Sequence, residues 1–413
     1  MNGAAWRIAA LAAPCAAATL PVAAGGPELV WYAETETGVA VAERAPDGPV
    51  NPASVVKLAT TLWALDRLGP DHRFTTRFRL HGAPSPQTGV AQGRLVVEGG
   101  ADPDLHVENV HLVARELAAA GAREIHGTVQ VDDWLWVGWE GGSDGDVKDG
   151  VARRGRMAER LRDALDRRRL DPAARHALDE LCARREWERC DFGGVPVTGQ
   201  VAAAGAAHDA VVVIHRSNPL PRILDRLNTW SNNDIERLGA TLGEPAELTS
   251  FLSERWGPGA ARGISFSTLS GLGVNRMTPR QIVALLRDLD RTARGHGLTL
   301  ASVMGSVGCD PGTVERFGDL ARYPGAVIAK TGTLVQTDGG VVALAGALST
   351  AEGRLFFAVL VPRSGARRAA ARRAQERWLL ELAADHGGAV PLGCSEPPVW
   401  SDTEVLLERL PAP

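Results

Sequence analysis

Two apolar runs near the C-terminus, Val341 to Leu348 and Leu355 to Val361, are separated only by a short polar turn. They read as neighbouring strands. At the other end of the chain, Glu28 to Glu34 and Val39 to Glu43 flank Thr37-Gly38, a hairpin signal. Strands at both ends with helical patterns between them restrict the chain to an antiparallel sheet carrying helices. One helical pattern follows Pro52, with Val55, Leu58, Leu62, Leu65 and Leu68 spaced by three or four, and Gly69-Pro70 stops it. Ser54 therefore lies in the first turn of a helix.

Between the ends, Leu95 to Glu98 and Thr128 to Val131 read as strands and Val107 to Ala120 as a helix. Residues 141–150 form a Gly/Asp loop. Residues 152–190 read as amphipathic helices with solvated charged faces, and Asp191 to Asp209 as a loop or linker. Further helices are predicted within Pro219 to Trp256, over Pro279 to Arg294, where proline starts the helix, and from about Gly365 to Ala384.

The net charge of −4 over 413 residues offers no basic footprint for a nucleic acid. Arg7 is the only charge before a small-residue apolar stretch, Ile8 to Ala24, interrupted by Pro14 and Pro21. That stretch is too short and proline-rich to span a membrane. Residues 1–24 read as a signal peptide cleaved after Val22-Ala23-Ala24, the alternative being an Ala-rich leader without structure. No later segment reads as transmembrane. Without Cys15, four cysteines remain and allow three pairings, with Cys182 and Cys190 near enough for a local bridge.

Only three of the 45 basic residues are lysine: Lys57, Lys148 and Lys330. Two of these fall in short motifs. Ser54-Val55-Val56-Lys57 puts an amine one helical turn from a hydroxyl, the pairing that a serine nucleophile needs. Lysine can act as the base if its pKa is lowered, whereas arginine cannot be deprotonated. The helix start also offers a free N–H to an oxyanion. Lys330-Thr331-Gly332-Thr333 follows an apolar strand and supplies a cation for a carboxylate, a glycine against which a ligand can lie, and a second oxyanion N–H at Thr333. Between them, Ser231-Asn232-Asn233 suits a proton relay and a carbonyl clamp, and equally suits an N-cap for a helix from Asp234 to Leu242.

S-x-x-K, S-x-N and K-T-G in this order resemble the penicillin-recognising serine enzymes. The longer stretches at 37–76, GGADPDL at 99–105, 215–243, LSGLGVNRMTP at 269–279 and 326–348 resemble the D-alanyl-D-alanine carboxypeptidases/endopeptidases of peptidase family S13, the low-molecular-mass class C penicillin-binding proteins. That resemblance implies Ser54 as nucleophile, Lys57 as its base, Ser231 and Asn233 as relay and clamp, and Lys330 with Thr331 as the carboxylate site. The oxyanion would sit between the N–H groups of Ser54 and Thr333. It also implies an α/β (α+β) fold: a transpeptidase/β-lactamase-like domain, an antiparallel sheet flanked by helices, interrupted by an inserted region. The expected units are a first transpeptidase-like segment at 25–93, a shortened inserted accessory region at 94–210 and a second transpeptidase-like segment at 211–413. The expected ligands are peptidoglycan peptides and β-lactams, without cofactor or metal, in the periplasm or cell envelope.

Asp132 or Asp133 is read either as a contact for a substrate amine or as a turn residue. His106 and His111 read as surface residues rather than metal ligands. A β-lactamase or esterase of the same fold is the alternative function, although no Glu-bearing loop lies between Ser231 and Lys330. A catalytically idle cell-wall-binding protein is the alternative outside enzymes.

Overall fold

Strands β9 (Val341–Thr350) and β10 (Gly353–Pro362) form the expected hairpin, in register from Thr350 opposite Gly353 to Val341 opposite Pro362. The computed structural model describes residues 28–139, 150–185, 192–199, 209–395 and 403–408. The expected leader at 1–24, most of the 141–150 loop, most of 191–209 and Cys190 lie outside them. The hairpin sits inside a five-stranded antiparallel sheet of order β2-β1-β10-β9-β8, with β1 at Val30–Thr35, β2 at Ala40–Arg44 and β8 at Val327–Leu334.

Nearly every residue of β9 and β10 is buried because both sheet faces are covered. On one face lie α1 (Lys57–Leu68), α5 (Leu220–Thr229), α7 (Pro245–Trp256) and α8 (Pro279–Gly295). Their Leu58, Leu62, Leu224, Leu252 and Leu285 close over Ala343, Ala345 and Ala347 of β9. Those alternating alanines keep the strand surface low, so helices can approach its backbone. On the other face, Trp378, Leu379 and Leu382 of α9 (Arg368–Asp385) pack on Trp31, Leu344 and Phe357. Each such side chain removed from water contributes about 1.5–3 kcal/mol.

A second, six-stranded mixed sheet has the order β11-β7-β3-β4-β5-β6. It comprises β3 (Thr75–His81), β4 (Val90–Glu98), β5 (Glu124–Val131), β6 (Val197–Thr198), β7 (Asp209–Arg216) and β11 (Glu404–Glu408). Phe78, Leu95, Val113, Leu117 and Leu161 fill the core between this sheet and α2 (Val107–Ala119) and α3 (Gly150–Ala164). A fourth helix, α4 (Pro172–Arg184), is capped by Asp171 accepting from the Ala174 N–H. The sheet starts at Thr75, ahead of residue 94, so the line at 93/94 runs through β4. It also recruits β7 and, from the far end of the chain, β11. The expected strands at Leu95 to Glu98 and Thr128 to Val131 belong to this sheet, as parts of β4 and β5.

Buried polar contacts join the two units. Asp104 accepts from Asn218 Nδ2 at 2.8 Å and Arg226 at 3.2 Å. Within the second unit, His215 lies between Asp102 (3.0 Å) and Thr403 Oγ1 (2.9 Å), which also accepts from Asn109 Nδ2. His106 and His111, expected at the surface, are buried; His111 Nε2 lies 3.1 Å from the Phe192 carbonyl oxygen. Among the described residues no helix is long and apolar enough to cross a membrane.

Of the three possible cysteine pairings, the described chain contains Cys309–Cys394, and Cys182 is also disulfide-bonded. Cys309 and Cys394 are 85 positions apart, and closing a loop of that length removes unfolded-chain entropy worth roughly 4 kcal/mol. The Cys309→Ser/Cys394→Ser double variant is expected to lose about that much stability. Urea midpoints for the oxidised wild type and the double variant measure it, and equal midpoints contradict it.

Candidate active site

The chain enters α1 through a 3-10 turn, Ala53–Val56, so Ser54 sits in the first turn as its sequence position predicts. Ala53 is left-handed, at φ +49°, a conformation that costs an L-residue about 1–2 kcal/mol. Asn51 holds it there, with its Oδ1 accepting the Ala53 N–H at 3.0 Å. The Nδ2 of Asn51 donates to the Gly273 carbonyl oxygen (2.9 Å) and to Asp338 Oδ2 (2.8 Å). Arg276 pairs with both oxygens of Asp338 and, with Asn51, holds that carboxyl below the usual carboxylate range. Three loops are thereby fastened around the serine.

Lys57 is fully buried, and its Nζ donates to Ser54 Oγ (3.1 Å), Asn233 Oδ1 (2.9 Å) and the Ser270 carbonyl oxygen (2.7 Å). Burial lowers its pKa to about 7, against a smaller opposing pull from Glu236. A neutral amine has two N–H groups and one lone pair. Two of its three neighbours, a side-chain carbonyl and a peptide carbonyl, can only accept. The hydroxyl of Ser54 is the one neighbour able to donate, so the lone pair is directed to it.

Asn233 precedes α6 (Ile235–Ala240), whose N-cap residue Asp234 makes no side-chain cap hydrogen bond. Its amide turns instead to Lys57, and the S-x-N segment serves the serine as well as the helix start. Ser231 occupies the same tight turn in a left-handed conformation, φ +55°, with its N–H donating to the Asn228 carbonyl. Its hydroxyl makes no hydrogen bond among the described residues and is free to meet a ligand.

Lys330 is also fully buried; its ammonium donates to the Thr331 carbonyl oxygen at 2.8 Å. Burial first, then repulsion from Lys57, pushes its pKa well down. The third motif lies beside the first, where Gly332 approaches Pro52 and Ala53. Thr331 and Thr333 lie on β8, an edge strand of its sheet, paired with Leu344 and Val342 of β9. Gly332 is also required by the packing around it. A Cβ there would come within 2.9 Å of the Pro52 carbonyl oxygen and 3.1 Å of Ala53 Cβ, so the glycine lets β8 close on the nucleophile's turn.

One wall was invisible in the motifs: the loop Leu269–Ser270–Gly271. Gly271 has φ +90°, and any Cβ there would collide with the Ala53 carbonyl oxygen. The available signal was its place in the stretch LSGLGVNRMTP at 269–279. Neither aspartate offered for a substrate amine is free for one. Asp132 accepts from the N–H groups of Gly99 and Trp134, a turn role, and Asp133 pairs with Arg153 and Arg154. A larger cleft of about 770 Å³ near the start of β8 touches Ser306, Asp310 and Ile328 but none of the motif residues. The hydrogen-bonded cluster, not cavity size, identifies the site.

A family model described as the D-Ala-D-Ala carboxypeptidase 3 (S13) family matches residues 21–152 and 154–382. A D-alanyl-D-alanine carboxypeptidase of Actinomadura sp. (strain R39) is 35% identical over 113 residues, 27% of this chain and 21% of that protein. The match thus spans about a fifth of that relative's length. A predatory endopeptidase from Bdellovibrio bacteriovorus, solved with an immunity protein, superposes with a TM-score of 0.74 at 22% identity, covering 92% of this chain and 100% of that one. Its penicillin G acylated form gives 0.73 at 22% identity, over 90% and 97%. Penicillin-binding protein 4 from Haemophilus influenzae gives 0.56 at 19% identity, over 86% and 97%. These structures establish a shared fold, that of the penicillin-binding peptidases.

Proposed function

The chain belongs to the D-Ala-D-Ala carboxypeptidase 3 (S13) family, and on that footing we propose that it is a serine peptidase cleaving the terminal D-alanyl-D-alanine bond of peptidoglycan stem peptides. The carrying observation is the three-way coordination of Lys57, which leaves its lone pair only the Ser54 hydroxyl. Lys57 takes the Ser54 proton as Oγ bonds to the carbonyl carbon of the penultimate D-alanine. The oxyanion is met by the N–H groups of Ser54 and Thr333. The C–N bond then breaks, and the leaving D-alanine takes the proton back from Lys57 through the Ser231 hydroxyl. Water hydrolyses the ester by the same route in reverse.

Asn233 steadies Lys57 and the substrate amide. Lys330 and Thr331 receive the substrate's terminal carboxylate. In the free protein the Lys330 charge is opposed by burial and by Lys57. An arriving carboxylate relieves that opposition, so binding favours the protonated Lys330 and leaves Lys57 as the neutral partner. A β-lactam carries both the carboxylate and the strained amide, and acylates Ser54 in the same way. The Cys309–Cys394 bridge supports action in an oxidising compartment such as the cell envelope, to which the leader expected at 1–24 would send the chain.

The test is a peptide ending in D-Ala-D-Ala alongside benzylpenicillin. Release of one D-alanine per peptide, with a mass adduct that persists, is the expected result. An adduct lost at once indicates a β-lactamase; no adduct and no release indicate a binding protein.

A further inference from the structure

Resting on that reading, we infer that Glu236 is a positioning residue for the general base: it fixes the peptide to which Lys57 donates and places a carboxylate beside that amine. Glu236 lies on α6, one turn after Asn233. Its Oε1 accepts the Ser270 N–H at 2.8 Å and its Oε2 the Leu269 N–H at 3.0 Å. The carbonyl of that same Ser270 receives the Lys57 ammonium at 2.7 Å. Thr60, one turn after Lys57 on α1, donates to the Leu269 carbonyl at 2.6 Å. The 269–270 peptides are thus gripped from α6 by one carboxylate and from α1 by a hydroxyl and an amine.

This grip matters because the direction of the lone pair depends on where the two carbonyl acceptors stand. Asn233 is fixed by its turn, but Ser270 belongs to a loop with glycines at 271 and 273, both left-handed. A bidentate carboxylate bound to two consecutive N–H groups holds one peptide orientation. With it in place, the Ser270 carbonyl keeps its lone pairs on Lys57.

Its charge matters as well. The charged group acting on Lys57 is Glu236 from α6, and the one acting on Lys330 is Lys57 from α1. The 3-10 turn and the 269–271 loop contribute hydroxyls and peptide groups. Glu236 favours the protonated Lys57 while burial opposes it, so the negative charge keeps the amine from losing its proton too easily. A base of very low pKa would be deprotonated at every working pH yet weak as a proton acceptor.

Glu236→Gln separates the two effects. Glutamine offers one acceptor oxygen to two N–H groups and carries no charge. The second-order rate of acylation by benzylpenicillin, followed between about pH 5 and 9, is expected to fall about tenfold at its plateau. Its acid limb is expected to move to lower pH by about one unit, since the group that favours the protonated amine is gone. A purely structural role would lower the plateau without moving the limb. Glu236→Asp keeps the charge but reaches only one N–H, so its limb should stay at the wild-type pH while its plateau falls. A Glu236→Gln limb superposed on the wild type overturns the inference while leaving the peptidase reading intact. If Glu236→Gln does not fold, a Glu236→Asp plateau equal to wild type overturns it. Wild-type protein that is not acylated at any pH removes the peptidase reading, and this inference with it.

Discussion

Ser54→Ala is expected to yield folded protein that gains no mass from benzylpenicillin and releases no measurable D-alanine from a D-Ala-D-Ala peptide. Removing a nucleophile from a coupled catalytic set costs roughly 10⁴-fold or more in turnover, because its partners have nothing left to activate. Folding should be nearly untouched. Ser54 is half-buried, and its side chain contributes one hydrogen bond, to Lys57, which keeps its other two acceptors. A net change of about 1 kcal/mol is the scale for one such bond. Intact mass spectrometry gives the adduct, and thermal melting confirms the fold. An adduct on Ser54→Ala at wild-type stoichiometry would assign the chemistry to another group and end the proposal.

The second large effect is expected at Lys57. Arginine remains charged at every accessible pH, so Lys57→Arg deletes the base while keeping a cation. Acylation should drop by about 10²–10⁴-fold, the usual contribution of general base catalysis. The wild type should also show why lysine is required. With its pKa lowered to about 7, the amine is neutral and active above that value and protonated below it. The acylation rate therefore declines as pH falls through 7 and levels off above it. Lys57→Met should be as inactive as Lys57→Arg, yet no less stable than the wild type below pH 7. The sign follows from linkage: in the unfolded chain Lys57 keeps its proton up to about pH 10.4, whereas the folded state releases it near 7. Across that window the unfolded state binds more protons, so stability rises with pH. Burial of the group is a cost that methionine escapes. Rates for the three proteins on one pH series, with denaturant midpoints, check both statements.

The catalytic motifs were legible because their geometry is local. Three residues along a helix put Lys57 beside Ser54 whatever the rest of the chain does, and scarce lysine made Lys330 conspicuous. Asn233 was legible as a motif member, but its bond to Lys57 spans 176 positions and needed the fold. Glu236 and Ser270 lacked even that signal. They meet across 34 positions through backbone N–H groups, which leave no side-chain pattern. The central hairpin was read from its apolar runs, since burial on both faces leaves no polar residue to obscure it. Strand β3 is the opposite case: Phe78 and Leu80 point into the core while Arg77 and Arg79 do not, so the charge dilutes the strand signal. Strand β7 follows an Ala/Gly-rich stretch that reads as linker. Strand β11 is only five residues long, and β7, nearly two hundred positions away, gives it its place. The Cys309–Cys394 pairing depends in the same way on a fold that spacing cannot supply.

Strand β11 changes how the inserted unit can be regarded. The interruption between the Ser54 and Ser231 motifs invites treatment as a cassette that could be excised or exchanged between relatives. Yet its sheet is completed by Glu404–Glu408 along β7, and Thr403 is locked onto His215 and Asn109. A chimera carrying only the continuous stretch would leave β7 with an open hydrogen-bonding edge, the kind that recruits foreign strands. Transplanting this region means moving two separated pieces of polypeptide together.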